Sequence, residues 1–149
     1  MRQALFKHTE RVNEVTVHTD GGSRGNPGPA AIGVVIEYGG GKKEYGESID
    51  TATNNVAEYS AVVFALKKVK QLIGKEKCGK TKVTVFADSE LLVKQLTGVY
   101  KIEEPHLQPL WIAIWNLRLD FGEVRFKHVY REANKGADRM VNRALDGRI

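Results

Sequence analysis

Residues 14–38 place the tightest limit on what this chain can fold into. In EVTVHTD, Val15 and Val17 alternate with Thr16 and His18, the two-residue period of a strand with one buried face. The run breaks into GGSRGNPGP, dense in turn formers and read as irregular backbone, and resumes as a second strand in AAIGVVIEY. YGGGKKEYGESI reads as a glycine turn leading into a third strand, so the chain opens with an antiparallel meander. Such a sheet needs cover for its apolar faces, and the remaining sequence supplies helices. TNNVAEYSAVVFAL begins one, capped by Thr53 or Asn55 and running to about Val69. Its apolar residues, Val56, Ala57, Val62, Val63, Phe64, Leu66 and Val69, nearly encircle it, as expected for a helix buried against a sheet.

Further on, QLIGKEKCGKTK reads as a basic loop, residues 82–87 as a strand and Asp88–Leu96 as a short helix. GVYKIEEP is a connector whose proline starts a helix over residues 105–119. FGEVRFKHVY is the last strand, REANKG a loop, and residues 135–146 the closing helix. Alternation after the hairpins predicts an α/β fold, a five-stranded mixed sheet of three antiparallel and then parallel strands with helices on both faces. One domain over residues 1–149 is expected, with residues 1–12 a loose lead-in.

Composition narrows the chemistry. At 149 residues, 42% hydrophobic and 28% charged, the chain suits one soluble globular core. Its net charge of +5 permits a polyanionic partner without requiring one. Cys78 is the only cysteine, which excludes an internal disulfide and cysteine-rich zinc sites. MRQALFKHTE lacks the apolar centre of a signal peptide, and no stretch approaches the roughly 18 apolar residues of a spanning helix. A cytoplasmic protein with no membrane association is expected.

Four acids sit at the joints between elements. Asp20 ends the first strand, Glu58 lies in the first turn of the first long helix, Asp88 ends a later strand, and Asp138 opens the last helix. Each has a local explanation. Asp20 can simply enter a turn, and Glu58 can complete a capping box with Asn55. Asp88 can start a helix, and Asp138 can complement a helix dipole. Together, in a sheet of this order, they face one small volume and repel unless a hard divalent cation holds them. Two Mg²⁺ ions so held clamp the attacking and leaving oxygens of a displacement at phosphorus.

The blocks TDGGSRGNPGPAAIGVVI, TNNVAEYSAV, ADSELLVKQL and REANKGADRMVN, in this order over residues 14–146, closely resemble those of type 1 ribonuclease H. The resemblance implies the ribonuclease H-like fold, with Asp20, Glu58, Asp88 and Asp138 as metal-binding catalytic carboxylates. It implies cleavage of the RNA strand of an RNA–DNA hybrid to leave 3′-hydroxyl and 5′-phosphate ends, with Mn²⁺ able to replace Mg²⁺. Gly21, Ser23, Gly25 and Asn26 match the family's nucleic-acid-contacting loop, and Thr53, Asn54 and Asn55 the segment that grips the duplex. Short amides and hydroxyls there suit a shallow minor groove, where the 2′-hydroxyl distinguishes RNA from DNA. No obligate protein partner is evident, and a monomer is expected.

Departures from the family pattern mark the open points. Glu90 stands where relatives often carry Gln, and a carboxylate accepts but does not donate. The loop YREANKG lacks the family's histidine. Arg131 is the better stand-in, while His128, on the strand, reads as packed or solvated, and Asn134 is a candidate to orient water or phosphate. The basic, tryptophan-bearing protrusion of some relatives is missing, since only Lys101 is basic between Leu96 and Leu110. Trp111 and Trp115, four apart, read as core. Lys67, Lys68, Lys70, Lys75, Lys77, Lys80 and Lys82 read as a solvated face able to supply backbone-tracking charge. Cleavage extending to double-stranded RNA is one alternative, and a non-catalytic hybrid-binding module is another.

Overall fold

The computed structural model describes residues 13–147. The expected lead-in, residues 1–12, lies outside them. Three long strands open the fold: β1 (Asn13–Ser23), β2 (Gly28–Tyr38) and β3 (Gly41–Ala52). Helix α1 (Asn54–Ile73) follows, then a single turn α2 (Lys75–Cys78) and strand β4 (Thr81–Ala87). Helices α3 (Glu90–Leu96) and α4 (Gln108–Arg118) lead to β5 (Glu123–His128). A 3₁₀ turn at Arg131–Ala133 precedes α5 (Lys135–Leu145). The strands form one five-stranded sheet in the order β3-β2-β1-β4-β5. β1 pairs antiparallel with β2 and parallel with β4; β2 pairs antiparallel with β3, and β4 parallel with β5.

The two faces of the sheet are covered by different helices. Val15 and Val17 join Ile32, Val34, Ile36, Val83 and Val85 in the main core beneath α1, which buries Tyr59, Val62, Leu66 and Val69 there. On the opposite face, Ala31 packs against Val141 and Ala144 of α5. The mixed sheet with helices on both faces therefore stands as expected.

Several boundaries differ from the sequence reading, each for a local reason. β1 continues through Gly21, Gly22 and Ser23, because these residues still pair with Ile32, Ala31 and Ala30 of β2. Only residues 24–27 of the GGSRGNPGP stretch lie outside strands. α1 extends to Ile73, which is buried against the core, so the supposed basic loop begins later and contains α2. Pro109, not Pro105, occupies the first turn of α4. Trp111 packs on the core edge, while Trp115 stacks on it at 5.2 Å yet remains 41% exposed beneath Arg118. The expectation that both tryptophans are core holds for the first alone. Residues 97–107, between α3 and α4, contain no helix or strand.

Candidate active site

The site lies where two parallel strands end unevenly. β4 stops at Ala87, opposite Thr19, whereas β1 runs on to Ser23. Beyond Thr19 one flank of β1 is thus left without its β4 neighbour, and Asp20 and Asp88 are the next residues of the two chains. This is the carboxyl end of the parallel strands, the usual place for ligands in open α/β sheets.

Two glycines let the helices carrying the other acids come close. A Cβ at Gly21 would lie 2.3 Å from the Ala57 carbonyl carbon and 2.5 Å from the Glu58 nitrogen, so α1 packs directly on the β1 backbone beside Glu58. On β2, Gly33 is the partner of Asp20, and a Cβ there would lie 2.1 Å from the Ala137 carbonyl oxygen of α5. Asp138 follows immediately. One glycine thus admits the helix of Glu58 and the other that of Asp138.

None of the four carboxylates caps a helix. Thr53 caps α1, its hydroxyl accepting from the Val56 N–H at 3.2 Å, and the first turn contains no acid. Glu58 therefore stands in the second turn, which removes the capping-box explanation and corrects its expected first-turn position. Ser89 caps α3 by accepting from the Leu92 N–H at 3.1 Å, so Asp88 precedes the cap and does not serve as one. Asp138 does lie in the first turn of α5, where it complements the helix dipole. Asp20 accepts the Gly21 N–H at 3.0 Å.

Asp20 feels the charge of each of the other three acids. Asp20 is pushed up to about 8, first by burial and then by Asp88 and Asp138, with Glu58 adding to the rise against the Gly21 hydrogen bond. Burial also raises Glu58; a hydrogen bond from Ser89 opposes this, and Asp88 reinforces it. Glu58 Oε2 is buried without a hydrogen-bond partner. An all-oxygen donor set containing an orphaned carboxylate oxygen fits a hard divalent cation. Among the described residues, no three or more acidic, histidine or cysteine side chains gather tightly enough to hold a metal ion by themselves.

The residues expected to contact nucleic acid only partly come together. Ser23, Gly25, Asn26, Thr53 and Asn54 come together at the β1–β2 loop and the start of α1. Asn54 Oδ1 accepts from the Ser23 N–H at 2.9 Å, the Asn54 N–H donates to Asn26 Oδ1 at 3.0 Å, and the single Ser23 hydroxyl proton is shared between the Gly25 carbonyl and Asn54 Oδ1, the latter at 3.2 Å. Asn55 lies beside them, half-exposed in the first turn of α1. Gly21 belongs to the strand, and its nearest neighbour is the α1 backbone. Glu90 is turned along its own helix to Lys94 at 3.1 Å, an i,i+4 pair that supports a helix-surface role. Arg131 is exposed on the 3₁₀ turn, and His128 ends β5 half-buried, its ring edge-on to the exposed Tyr130.

Asn134 departs most from expectation. It is 1% exposed, and its Nδ2 donates to the Thr19 carbonyl at 2.9 Å, so the side chain faces the sheet instead of an approaching duplex. The sequence reading also missed Ser89 and Gly33. A glycine inside the apolar run AAIGVVI is itself a sign of close backbone approach and was the available signal for Gly33.

The chain matches the Reverse transcriptase-like family model over residues 18–144. It is 38% identical to ribonuclease HI of Halobacterium salinarum over 92% of its own length and 67% of that protein. The chain belongs to the ribonuclease H family. The ribonuclease H1 structure from the same archaeon superposes with a TM-score of 0.82, covering 90% of this chain and 98% of that one. LC11 ribonuclease H1, solved in complex with an RNA/DNA hybrid, gives 0.84 at 41% identity over 89% and 97% of the two chains. A bifunctional protein of Mycobacterium tuberculosis is 37% identical over 89% of this chain, which spans only 36% of that protein. The likeness to ribonuclease H1 structures agrees with the mixed sheet described above. No helix among the described residues is long and apolar enough to cross a membrane.

Proposed function

We propose that this ribonuclease H domain, spanning the chain, is an endonuclease. It hydrolyses the RNA strand of RNA–DNA hybrids and leaves 3′-hydroxyl and 5′-phosphate ends. The observation that carries the reading is the convergence on Asp20 of Asp88 just beyond β4, Glu58 on α1 and Asp138 on α5, the two helices admitted by Gly21 and Gly33; burial and these charges push Asp20 up to about 8. A binding module gains nothing from negative charge concentrated where phosphates must approach.

Asp20, Glu58, Asp88 and Asp138 hold two Mg²⁺ ions, with Mn²⁺ able to substitute. The ions, when bound, lower the pKa of the attacking water and offset charge on the scissile phosphate. Ser89 orients the Glu58 carboxylate. The loop knitted from Ser23, Asn26 and Asn54 presents its free edges to the minor groove, where a 2′-hydroxyl marks the strand to be cut. Exposed Arg131 lies on the turn leading to Asp138 and offers a fixed positive charge to the departing phosphate.

The test is cleavage of labelled RNA–DNA hybrid, RNA duplex and DNA duplex, each with Mg²⁺ and with EDTA. Metal-dependent cutting of the hybrid alone supports the proposal. Hybrid binding without cleavage in either Mg²⁺ or Mn²⁺ would show a binding module, and equal cutting of the RNA duplex would show a broader nuclease.

A further inference from the structure

We infer that Asn134 is a positioning residue that locks the Asp138 helix onto the strand carrying Asp20, and not a contact to nucleic acid. The inference rests on the proposed role of the four acids. Asn134 immediately precedes α5, and its side chain does not cap that helix. Instead, its Nδ2 donates at 2.9 Å to the carbonyl of Thr19, the residue before Asp20 and 115 positions away in the chain. Its own carbonyl accepts the Asp138 N–H at 3.1 Å. One residue thus touches the backbone adjoining one acid and the backbone of another.

Its surroundings are rigid. Thr19 is 1% exposed and lies between Val34 of β2 and Ala87 of β4, so the carbonyl that Asn134 holds cannot shift without the sheet. Asn134 is equally buried, and its Oδ1 has no hydrogen-bond partner. With Oδ1 unpaired, the Nδ2 bond to Thr19 is what offsets the cost of burying this amide. An apolar side chain of similar size would fill the space without that penalty but would leave the Thr19 carbonyl without this donor.

The geometry makes a specific functional demand. Asp138 is carried by a helix packed on β2, β3 and β1, and the Gly33 contact with Ala137 sets how closely α5 approaches. That contact does not fix how α5 slides along the sheet. Ser48 donating to the Ala144 carbonyl and Arg139 pairing with Glu44 tie α5 to β3, and the Asn134–Thr19 hydrogen bond ties its start to β1, one residue from Asp20. Displacements of about 1 Å at a reacting centre can cost roughly a hundredfold in rate.

Asn134→Ala removes the donor, and Asn134→Asp keeps the shape while setting a carboxylate against the Thr19 carbonyl. Both are compared with wild type in four measurements: metal-free thermal melting, steady-state cleavage of the hybrid, Mn²⁺ affinity by calorimetry, and hydrogen exchange at the Asp138 amide. Expected are a KM for hybrid within about twofold, kcat reduced by roughly tenfold to a hundredfold, weaker Mn²⁺ binding, and faster exchange at Asp138 in variants still folded at the assay temperature. A raised KM with unchanged kcat would make Asn134 a substrate contact and overturn the inference. Unchanged kcat, exchange and Mn²⁺ affinity would overturn it as well. If wild type itself fails to cut hybrid, the proposed function falls, and the exchange and Mn²⁺ measurements still decide whether Asn134 holds Asp138 in place. Should one variant fail to fold, the other is read against the same outcomes.

Discussion

Asp20 carries a protonation signature that a lone turn aspartate would lack. Folding raises it from 3.8 to about 8, so the folded chain binds this proton more tightly than the unfolded one. Its contribution to metal-free stability is therefore complete below about pH 4 and declines as pH rises toward 8. Burial raises Glu58 as well, which adds to the same trend. In EDTA, Asp20→Asn should match wild type near the low end of this range and exceed it increasingly toward the high end. Mg²⁺ should raise the melting temperature of wild type more than that of the variant. A pH-independent offset between the two proteins would mean that Asp20 is not under this strain. The acids themselves were readable from their motif blocks. Their freedom from local duties was not, because choosing Thr53 over Asn55 as the cap depends on where the chain leaves β3, which one turn of sequence does not specify.

Elements meet at this site through backbone, and the glycines are where that can be tested. Gly21→Ala would drive a methyl group to 2.3 Å from the Ala57 carbonyl, and Gly33→Ala would drive one to 2.1 Å from that of Ala137. Neither neighbour is a flexible side-chain end, so a helix must move. Each variant should lose about 1–3 kcal/mol in denaturant unfolding and lose activity beyond what its unfolded fraction explains. Gly39→Ala offers the comparison, since its turn is open and only its positive φ of 60° is strained. If Gly33→Ala remained as stable and active as wild type, α5 would not depend on this contact. The element order was legible because strand and helix periods differ so plainly between EVTVHTD and NNVAEYSAVVFAL. The length of β1 was not, since DGGS has the composition of a turn and is held extended only by its partners on β2. Asn134 was hidden for a related reason: a polar residue in a loop reads as exposed until the sheet that buries it is known.

Across the whole molecule, the lysines of α1 and α2 lie away from the acids, whereas Lys135 shares the first turn of α5 with Asp138. Asp20, Asp88, Asp138 and the start of α1 occupy one end of the sheet, while Lys67, Lys68 and Lys70 lie in the later part of α1 and Lys75 and Lys77 in α2. A helix of 20 residues spans about 30 Å. Lys70 is already paired with Asp120 at 2.8 Å. Removing Lys75 and Lys77 together should therefore change the KM for a short hybrid by less than about twofold. For wild type, KM should rise about tenfold between 50 and 200 mM salt, less than the 10³–10⁵ of proteins with six to ten phosphate contacts. A large effect of the double substitution would extend the footprint along α1. Sequence composition permitted a polyanion partner, and only the fold shows that much of the positive charge lies away from the chemistry.

The most direct test of the central claim is a hybrid labelled in a different colour on each strand, incubated in Mg²⁺ with wild type and with Asp88→Asn. Internal cuts confined to the RNA strand, abolished by EDTA and reduced at least about a thousandfold in the variant (about 4 kcal/mol of barrier), are the predicted result. Cutting of both strands, or undiminished turnover by Asp88→Asn, would contradict it.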